Sequence, residues 1–253
     1  MEETGLMTVN MKRLEIAGTV RHVSGEGLFF DHLQEGVLID RNLEVLRQLV
    51  PKGATVYDIG ANIGLMTIGI ADIAGHIIAV EPSEETFAHL RQNTSHLPNV
   101  TCVRALVGPT GRRFIQNSAC ATGSTSAPTG VEFNHSHLSV VDVPILSLDD
   151  LVSAYGPADV LKIDVEGAEI EVLRSGPEAM KHKPAALIEF NALCLMAFGR
   201  ITPADALAEI KQMFPRVCRV LPDGVELAAE DYPFLCEHIL RNGSVDDLIC
   251  SFT

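Results

Sequence analysis

The chain has 253 residues and a formal charge of −14 at pH 7, with a sequence pI near 5.0. That length carries one large core, and so acidic a surface disfavours nucleic acid and anionic membrane as partners, because their phosphates would be repelled over most of it. The six cysteines are scattered without a Cys-x-x-Cys pair or metal-ligand spacing, which predicts free thiols in a reducing compartment. Met1-Glu2-Glu3-Thr4-Gly5 lacks the basic-then-apolar layout of a signal peptide. Asp58, Asn62, Asp72 and His76 interrupt the most hydrophobic region before any apolar run reaches about eighteen residues. A cytoplasmic protein without membrane insertion is the expectation.

Residues 1–39 read as an N-terminal flap, in which apolar alternation broken by Gly18, Gly25 and Gly27 predicts one or two short strands and turns. Leu43, Leu46, Leu49 and Val50 stand at helical spacing behind an Asp40 cap, and Pro51-Lys52-Gly53 closes the helix. These opening fifty residues would cover a sheet and help to shape a substrate site.

The stretch Val56-Tyr57-Asp58-Ile59-Gly60-Ala61-Asn62-Ile63-Gly64 is an apolar strand that ends in an acid and breaks into a glycine turn. Gly60 and Gly64 lack a Cβ, so the backbone can turn tightly and come close to a ligand. Leu65 to Ile73 is apolar on every face, as in a buried helix, and its positive N-terminal end would point at the turn. Gly75 to Pro82 repeats the arrangement and ends in Glu81-Pro82. In a parallel sheet Asp58 and Glu81 share one edge of the crevice, with Glu81 placed to accept hydrogen bonds from ribose hydroxyls. Ser83 caps a helix to about Asn93, with Glu84 and Glu85 in its first turn. Val100 to Val103 forms a third strand, after which Arg104, Ala105 and Leu106 are candidates for an adenine-contacting wall or a buried turn.

From Arg112 to Val143 the pattern is irregular, with Gly123-Ser124-Thr125-Ser126, Pro128, Gly130, His135 and His137. Small, hydroxylated and turn-forming residues predict a loop, placed here as a substrate lid. Ser147 to Ala154 is a short helix, and Asp159 to Gly167 a fourth apolar strand with an acid-ended exit at Asp164. Ala168 to Leu173 is helical, Ala185 to Phe190 a fifth strand ending near Glu189, and Thr202-Pro203 opens a helix to about Met213. Arg216 to Leu221, a turn at Pro222-Asp223-Gly224 and a strand at Asp247 to Ser251 complete the chain.

Asp58 to Gly64, Glu81-Pro82, Ala105-Leu106, Gly123 to Ser126, Leu148-Asp149-Asp150-Leu151, the Lys162-Ile163-Asp164-Val165-Glu166-Gly167-Ala168-Glu169 run, Leu221 to Gly224 and Asp247-Leu248-Ile249 together resemble the FkbM family of class I S-adenosylmethionine-dependent methyltransferases over residues 40–253. The turn after Val107 departs from the family, which more often has Gly-Asp there. The resemblance implies an α/β fold, a doubly wound seven-stranded, mostly parallel, Rossmann-like sheet whose last strand is antiparallel. It also implies methyl transfer to the hydroxyl of a small molecule, sugar or other natural product. By position, Gly60, Ala61, Asn62 and Gly64 would wrap the methionine end of S-adenosylmethionine, Glu81 with Pro82 would meet the ribose, and Arg104 and Ala105 the adenine. Asp58 would order the loop, and Asp164 would sit beside the sulfonium and the incoming nucleophile.

Such a displacement gains much from alignment, and an alcohol also needs a base or a polarising cation. Asp164, Glu189 and His135 are the catalytic candidates, with Glu166 and His137 behind them. The acids at 164, 166 and 189 offer oxygen ligands that magnesium accepts, yet no metal ligand is assigned. A homodimer is compatible with this reading. Of the rivals, a nicotinamide-dependent oxidoreductase meets Asn62 where its fingerprint needs a second glycine, and a non-catalytic cofactor-binding subunit would have little use for Asp58, Glu81 and Asp164 together.

Overall fold

The computed structural model describes residues 10–38, 40–117, 124–129, 136–220, 226–228, 235 and 245–252. Alternation in the first segment builds a hairpin, β1 (Met11–Ile16) against β2 (Thr19–Ser24). After the short helix α1 (Gly27–His32), β3 (Gly36–Val37) adds parallel to β1. Asp40 caps α2 (Arg41–Leu49), its carboxylate accepting the backbone N–H groups of Asn42 and Leu43. The hairpin is tied inward by Asn93, whose Oδ1 accepts the Ser24 N–H at 2.8 Å and whose Nδ2 donates to the Ser24 carbonyl at 2.9 Å and the Ile63 carbonyl at 2.8 Å.

The nucleotide-type units follow: β4 (Thr55–Ile59), α3 (Leu65–Ile70), β5 (His76–Val80), α4 (Glu84–Thr94) and β6 (Val100–Val103). A lobe of short strands comes next, β7 (Leu106–Val107), β8 (Arg112–Asn117), β9 (Thr125–Pro128), β10 (Leu138–Val141) and β11 (Ile145–Leu146). Then α5 (Leu148–Tyr155), capped by Ser147, leads into β12 (Val160–Ile163), α6 (Glu169–Arg174), α7 (Pro177–Met180) and β13 (Ala185–Asn191). The helical turn α8 (Ala192–Cys194) runs directly into a π-helical turn, Leu195–Gly199. The chain closes with α9 (Pro203–Met213), β14 (Arg216–Val220), β15 (Glu226–Ala228) and β16 (Val245–Ser251).

The main sheet runs β15-β14-β16-β13-β12-β4-β5-β6. Strands β4, β5, β6, β12 and β13 are parallel neighbours, and β16 lies antiparallel between β13 and β14. These are the seven strands expected, and β15 adds an antiparallel eighth at the edge. Strand periodicity sends Tyr57, Ile59, Leu161, Ile163 and Ile188 into a core with residues of α5, α6 and α9. Val56, Ile77, Val160 and Leu187 point the other way, onto α2 and α3. Chain order reverses between β4 and β12, which opens the ligand crevice of such sheets at their carboxyl ends.

One expectation is corrected. Residues 112–143 are not simply a loop: their described part forms a three-stranded antiparallel sheet, β10-β8-β9. Thr125 and Ser126 look like loop residues, but they are buried because the protein satisfies their hydroxyls: Thr125 Oγ1 donates to the Glu166 carbonyl at 2.6 Å, and Ser126 Oγ accepts from Arg112 Nε at 2.9 Å. Phe114, Ile115 and Ala127 are buried as well, Phe114 and Ile115 on opposite faces of β8. Helix α3 also stops at Ile70, short of the expected Ile73. Gly123, His135 and the Leu221–Gly224 turn lie outside the described residues.

Candidate functional site

The turn after β4 is built on close backbone approach. Gly60 has φ +80°, and a Cβ there would stand 1.8 Å from the Asp164 carbonyl oxygen. The N–H groups of Gly60 and Ala61 both donate to the Val80 carbonyl, each at 2.9 Å, so the turn is fastened to the end of β5. Gly64, with φ 91°, caps α3 from the left-handed region. Glu81 supports the turn from the neighbouring strand end: it accepts the Asn62 N–H at 3.1 Å and the Ser83 N–H at 2.9 Å, one on each carboxylate oxygen. It is 8% exposed.

Beneath the turn, Asp58 is fully buried and accepts from Thr67 Oγ1 at 2.6 Å. Its other oxygen lies 3.3 Å from the ammonium of Lys162, which also donates to the Gly60 carbonyl at 2.7 Å and stands 3.4 Å from Asp164 Oδ2. Burial alone would lower the Lys162 pKa, but the charges of Asp164 and Asp58 outweigh it and the ammonium is held above the ordinary lysine value. Sequence reasoning missed Lys162. Its signal was present, since a lysine inside the otherwise apolar Val160-Leu161-Lys162-Ile163 strand can stay charged only if acids meet it.

Past Asp164 the carboxyl edge collects acids. Glu166 sits at φ 53° and accepts from Cys194 Sγ at 3.3 Å. Glu169 accepts the Val165 and Gly167 N–H groups at 3.1 and 3.0 Å, pinning the turn between them. Glu189 faces Asp247 across the β13–β16 ladder. Carboxylate oxygens of Asp164, Glu166 and Glu189 lie within 4.8 Å of one another, a grouping of donors able to hold a cation among the described residues.

Burial, followed by the charge of Asp164, raises Glu166 to about 7, and Asp247 likewise despite a hydrogen bond with Asn42. Burial raises Glu81 and Glu169 to about 7 against the pull of their backbone hydrogen bonds. Glu189 is pushed up by burial and by Asp164 and Glu166. Each of these groups binds its proton more tightly in the folded chain than in the unfolded one. For Glu81, Glu166, Glu169 and Asp247 the stabilisation is therefore complete below the unfolded carboxyl pKa, about 4, and is lost as pH rises through about 7, whereas Glu189 keeps its proton to higher pH. The ligand-free protein is expected to melt at a higher temperature at pH 5.5 than at pH 8. A net effect of about 2 kcal/mol after screening corresponds to roughly 4–8 °C. Calorimetric melts at the two pH values check this, and a higher melting point at pH 8 would contradict it.

A cavity of about 320 Å³ runs along this edge, within the size range of small-molecule sites. Gly60, Ala61, Asn62, Glu81, Pro82, Ala105, Asp164 and Glu189, all singled out from the sequence, line it together. Asp40, Asn42, Leu106, Phe114 and Ser124 to Ser126 line it as well. Asp58 and Gly64 do not line the cavity and act from behind the turn. Arg104 is outside it as well, with its guanidinium 3.4 Å from Glu84. His137 is exposed and away from it, and His135 is outside the described residues.

Known proteins are similar to this chain. The family model described as "Methyltransferase FkbM domain" matches residues 58–204, which include the Gly60 turn, Glu81, Asp164 and Glu189. The hexuronic acid methyltransferase AglP of Haloferax volcanii is 26% identical over 156 residues, covering 59% of this chain and 62% of AglP. The chain thus matches less than two thirds of that relative's length. Among solved structures, the 16S rRNA methyltransferase RsmC of T. thermophilus, in complex with AdoMet and guanosine, superposes with a TM-score of 0.51 at 12% identity, covering 100% of this chain and 53% of RsmC. A precorrin-6y C5,15-methyltransferase from Geobacter metallireducens gives a TM-score of 0.45 at 14% identity, covering 83% of this chain and 86% of its own. With more than half of its residues inside the family model, and with the Rossmann-like α/β fold of solved methyltransferases, the chain belongs to the FkbM methyltransferase family.

Proposed function

We propose that the chain transfers a methyl group from S-adenosylmethionine to a hydroxyl oxygen of a sugar or a related small molecule. The observation that carries this reading is the shared cavity, in which a turn suited to a nucleoside cofactor and a set of carboxylates suited to a hydroxyl open onto the same space. The residues fit such a cofactor. Each oxygen of Glu81 is held by one backbone N–H, which leaves lone pairs toward the cavity to accept two ribose hydroxyls. Ala105, Leu106 and Phe114 supply an apolar wall of the kind an adenine needs.

When bound, S-adenosylmethionine supplies an electrophilic methyl carbon on a sulfonium. The chain's own part is to align and to manage one proton. Asp164, with 41% of its side chain exposed, presents a carboxylate to the incoming hydroxyl and to positive charge nearby. Glu166, raised by burial to about 7, is a base able to take the hydroxyl proton near neutral pH, and Glu189, which holds its own proton there, can donate a hydrogen bond to the acceptor. Asp40 and Asn42, at the start of α2, bring the N-terminal segment to the acceptor side. The hexuronic acid named for AglP supports a sugar acceptor.

Calorimetric titration with S-adenosylmethionine, S-adenosylhomocysteine and NAD is expected to give micromolar binding of the two sulfur ligands and none of NAD. In Glu81→Gln the binding should weaken by at least about tenfold, near 1.4 kcal/mol. Isotope-labelled transfer to a panel of sugars and other hydroxylated acceptors should then yield a methyl ether. Binding of NAD alone, or a product methylated on nitrogen or carbon, would overturn the reading.

A further inference from the structure

Lys162 lies at the centre of the site, yet no step assigned so far requires it. It is 7% exposed and sits one residue before the end of β12, in a strand otherwise made of apolar side chains. An ammonium there is tolerable only where hydrogen bonding and opposite charge compensate its burial. Three oxygens supply this: the Gly60 carbonyl through a hydrogen bond at 2.7 Å, and Asp58 Oδ1 at 3.3 Å and Asp164 Oδ2 at 3.4 Å through ion pairs. The three differ in kind. Asp58 is a fully buried anchor at the end of β4 that takes a second bond from Thr67. Gly60 opens the ligand turn. Asp164 is the partly exposed carboxylate that lines the cavity.

The backbone already sets β4 and β12 in register here, with the Asp164 N–H donating to the Ile59 carbonyl at 3.1 Å. That bond fixes the Asp164 main chain and leaves its side-chain torsions free. A contact from Lys162 to Oδ2 removes that freedom, so the place at which the other carboxylate oxygen enters the cavity is set relative to the Gly60 carbonyl. Misplacing a reacting group by about 1 Å can cost on the order of a hundredfold in rate.

Resting on the reading of Asp164 above, we propose that Lys162 is a positioning residue, which locks the Asp164 carboxylate to the cofactor turn and so sets the geometry of methyl transfer without itself touching the acceptor. Within this cluster, one ammonium against two aspartates leaves a single net negative charge.

Removing Lys162 alone strands two carboxylates, one of them fully buried, and that variant can fail to fold. The test therefore pairs Lys162→Met with Asp58→Asn, where asparagine still accepts from Thr67, and uses Asp58→Asn alone as the control. Assays use whichever acceptor the unaltered protein methylates, so a nitrogen or carbon acceptor would overturn the hydroxyl reading and leave this comparison intact. In the double variant kcat should fall at least about a hundredfold below the control, while the acceptor KM and the S-adenosylhomocysteine Kd stay within about threefold. Adding Asp164→Asn should then cost no more than about tenfold further, far less than the same change costs in the unaltered protein, because Lys162 acts through Asp164. Unchanged kcat would overturn the proposal. So would a loss of S-adenosylhomocysteine binding as large as the loss of kcat, which marks a collapsed turn, or losses that multiply when Asp164→Asn is added.

Discussion

Asp164→Ala is expected to lower turnover by about a thousandfold or more, about 4 kcal/mol of transition-state stabilisation, with S-adenosylhomocysteine affinity changed by no more than about tenfold. The split follows from where the residue stands. Its side chain is 41% exposed and its fixed contact is the ion pair with Lys162, so truncation leaves no hole in the core. The turn that would hold the cofactor keeps its own fastenings, the two bonds from Gly60 and Ala61 to Val80 and those of Glu81 to Asn62 and Ser83. Lys162 retains Asp58 and the Gly60 carbonyl. What disappears is the carboxylate between the turn and the acid-rich acceptor side, in the position from which an interaction made chiefly in the transition state would come. Steady-state kinetics together with calorimetry decide the matter, and full activity in the variant would remove Asp164 from the mechanism.

Gly60→Ala is expected to act on the fold and the ligand together. The added methyl would lie 1.8 Å from a backbone oxygen, that of Asp164, and 2.8 Å from its carbonyl carbon, at φ +80°. No flexible side chain can yield, because both partners are backbone, each one residue past the end of β4 or β12, and the register of those parallel strands is set by the ladder between them. The cost is about 3 kcal/mol from strain and displaced strand ends, or roughly 6–12 °C in melting temperature for a domain of this size. Cofactor affinity should fall at least about a hundredfold, since the displaced carbonyls are those that Lys162 and the turn depend on. A variant that melts and binds like the parent would show that the two strand ends can part without consequence.

The fold was legible because its signals are local. Val56 to Gly64 and Gly75 to Pro82 announce two strands with acid-ended exits, and Ser83, Ser147 and Thr202 cap the helices that follow them. The candidate residues that line the cavity were legible for the same reason, as Gly60, Ala61, Asn62, Glu81, Ala105 and Asp164 each sit within a few positions of a strand end. The small sheet of β8, β9 and β10 was not. Its buried positions include Thr125 and Ser126, whose hydroxyls are satisfied by Glu166 and Arg112, partners about 41 and 14 residues away. Arg104 shows the opposite error, in which a residue beside a strand end is drawn off by a nearer charge, Glu84. Lys162 was overlooked because a single polar residue in an apolar strand reads as an exception to the pattern, whereas in the folded chain it is the point where β4 and β12 meet chemically.

Asn93 gives the N-terminal hairpin a consequence beyond covering the sheet. One amide side chain joins Ser24 of β2 to the carbonyl of Ile63 in the cofactor turn, across 69 residues of sequence on one side and 30 on the other. Fraying of the hairpin leaves the amide with one fewer restraint and the Ile63 carbonyl without a fixed donor, so the two segments form one cooperative opening unit. The stiffness of the turn is thus set in part by a segment outside the sheet that carries the chemistry. Loosening of the hairpin is thereby coupled to loosening of the turn through one side chain.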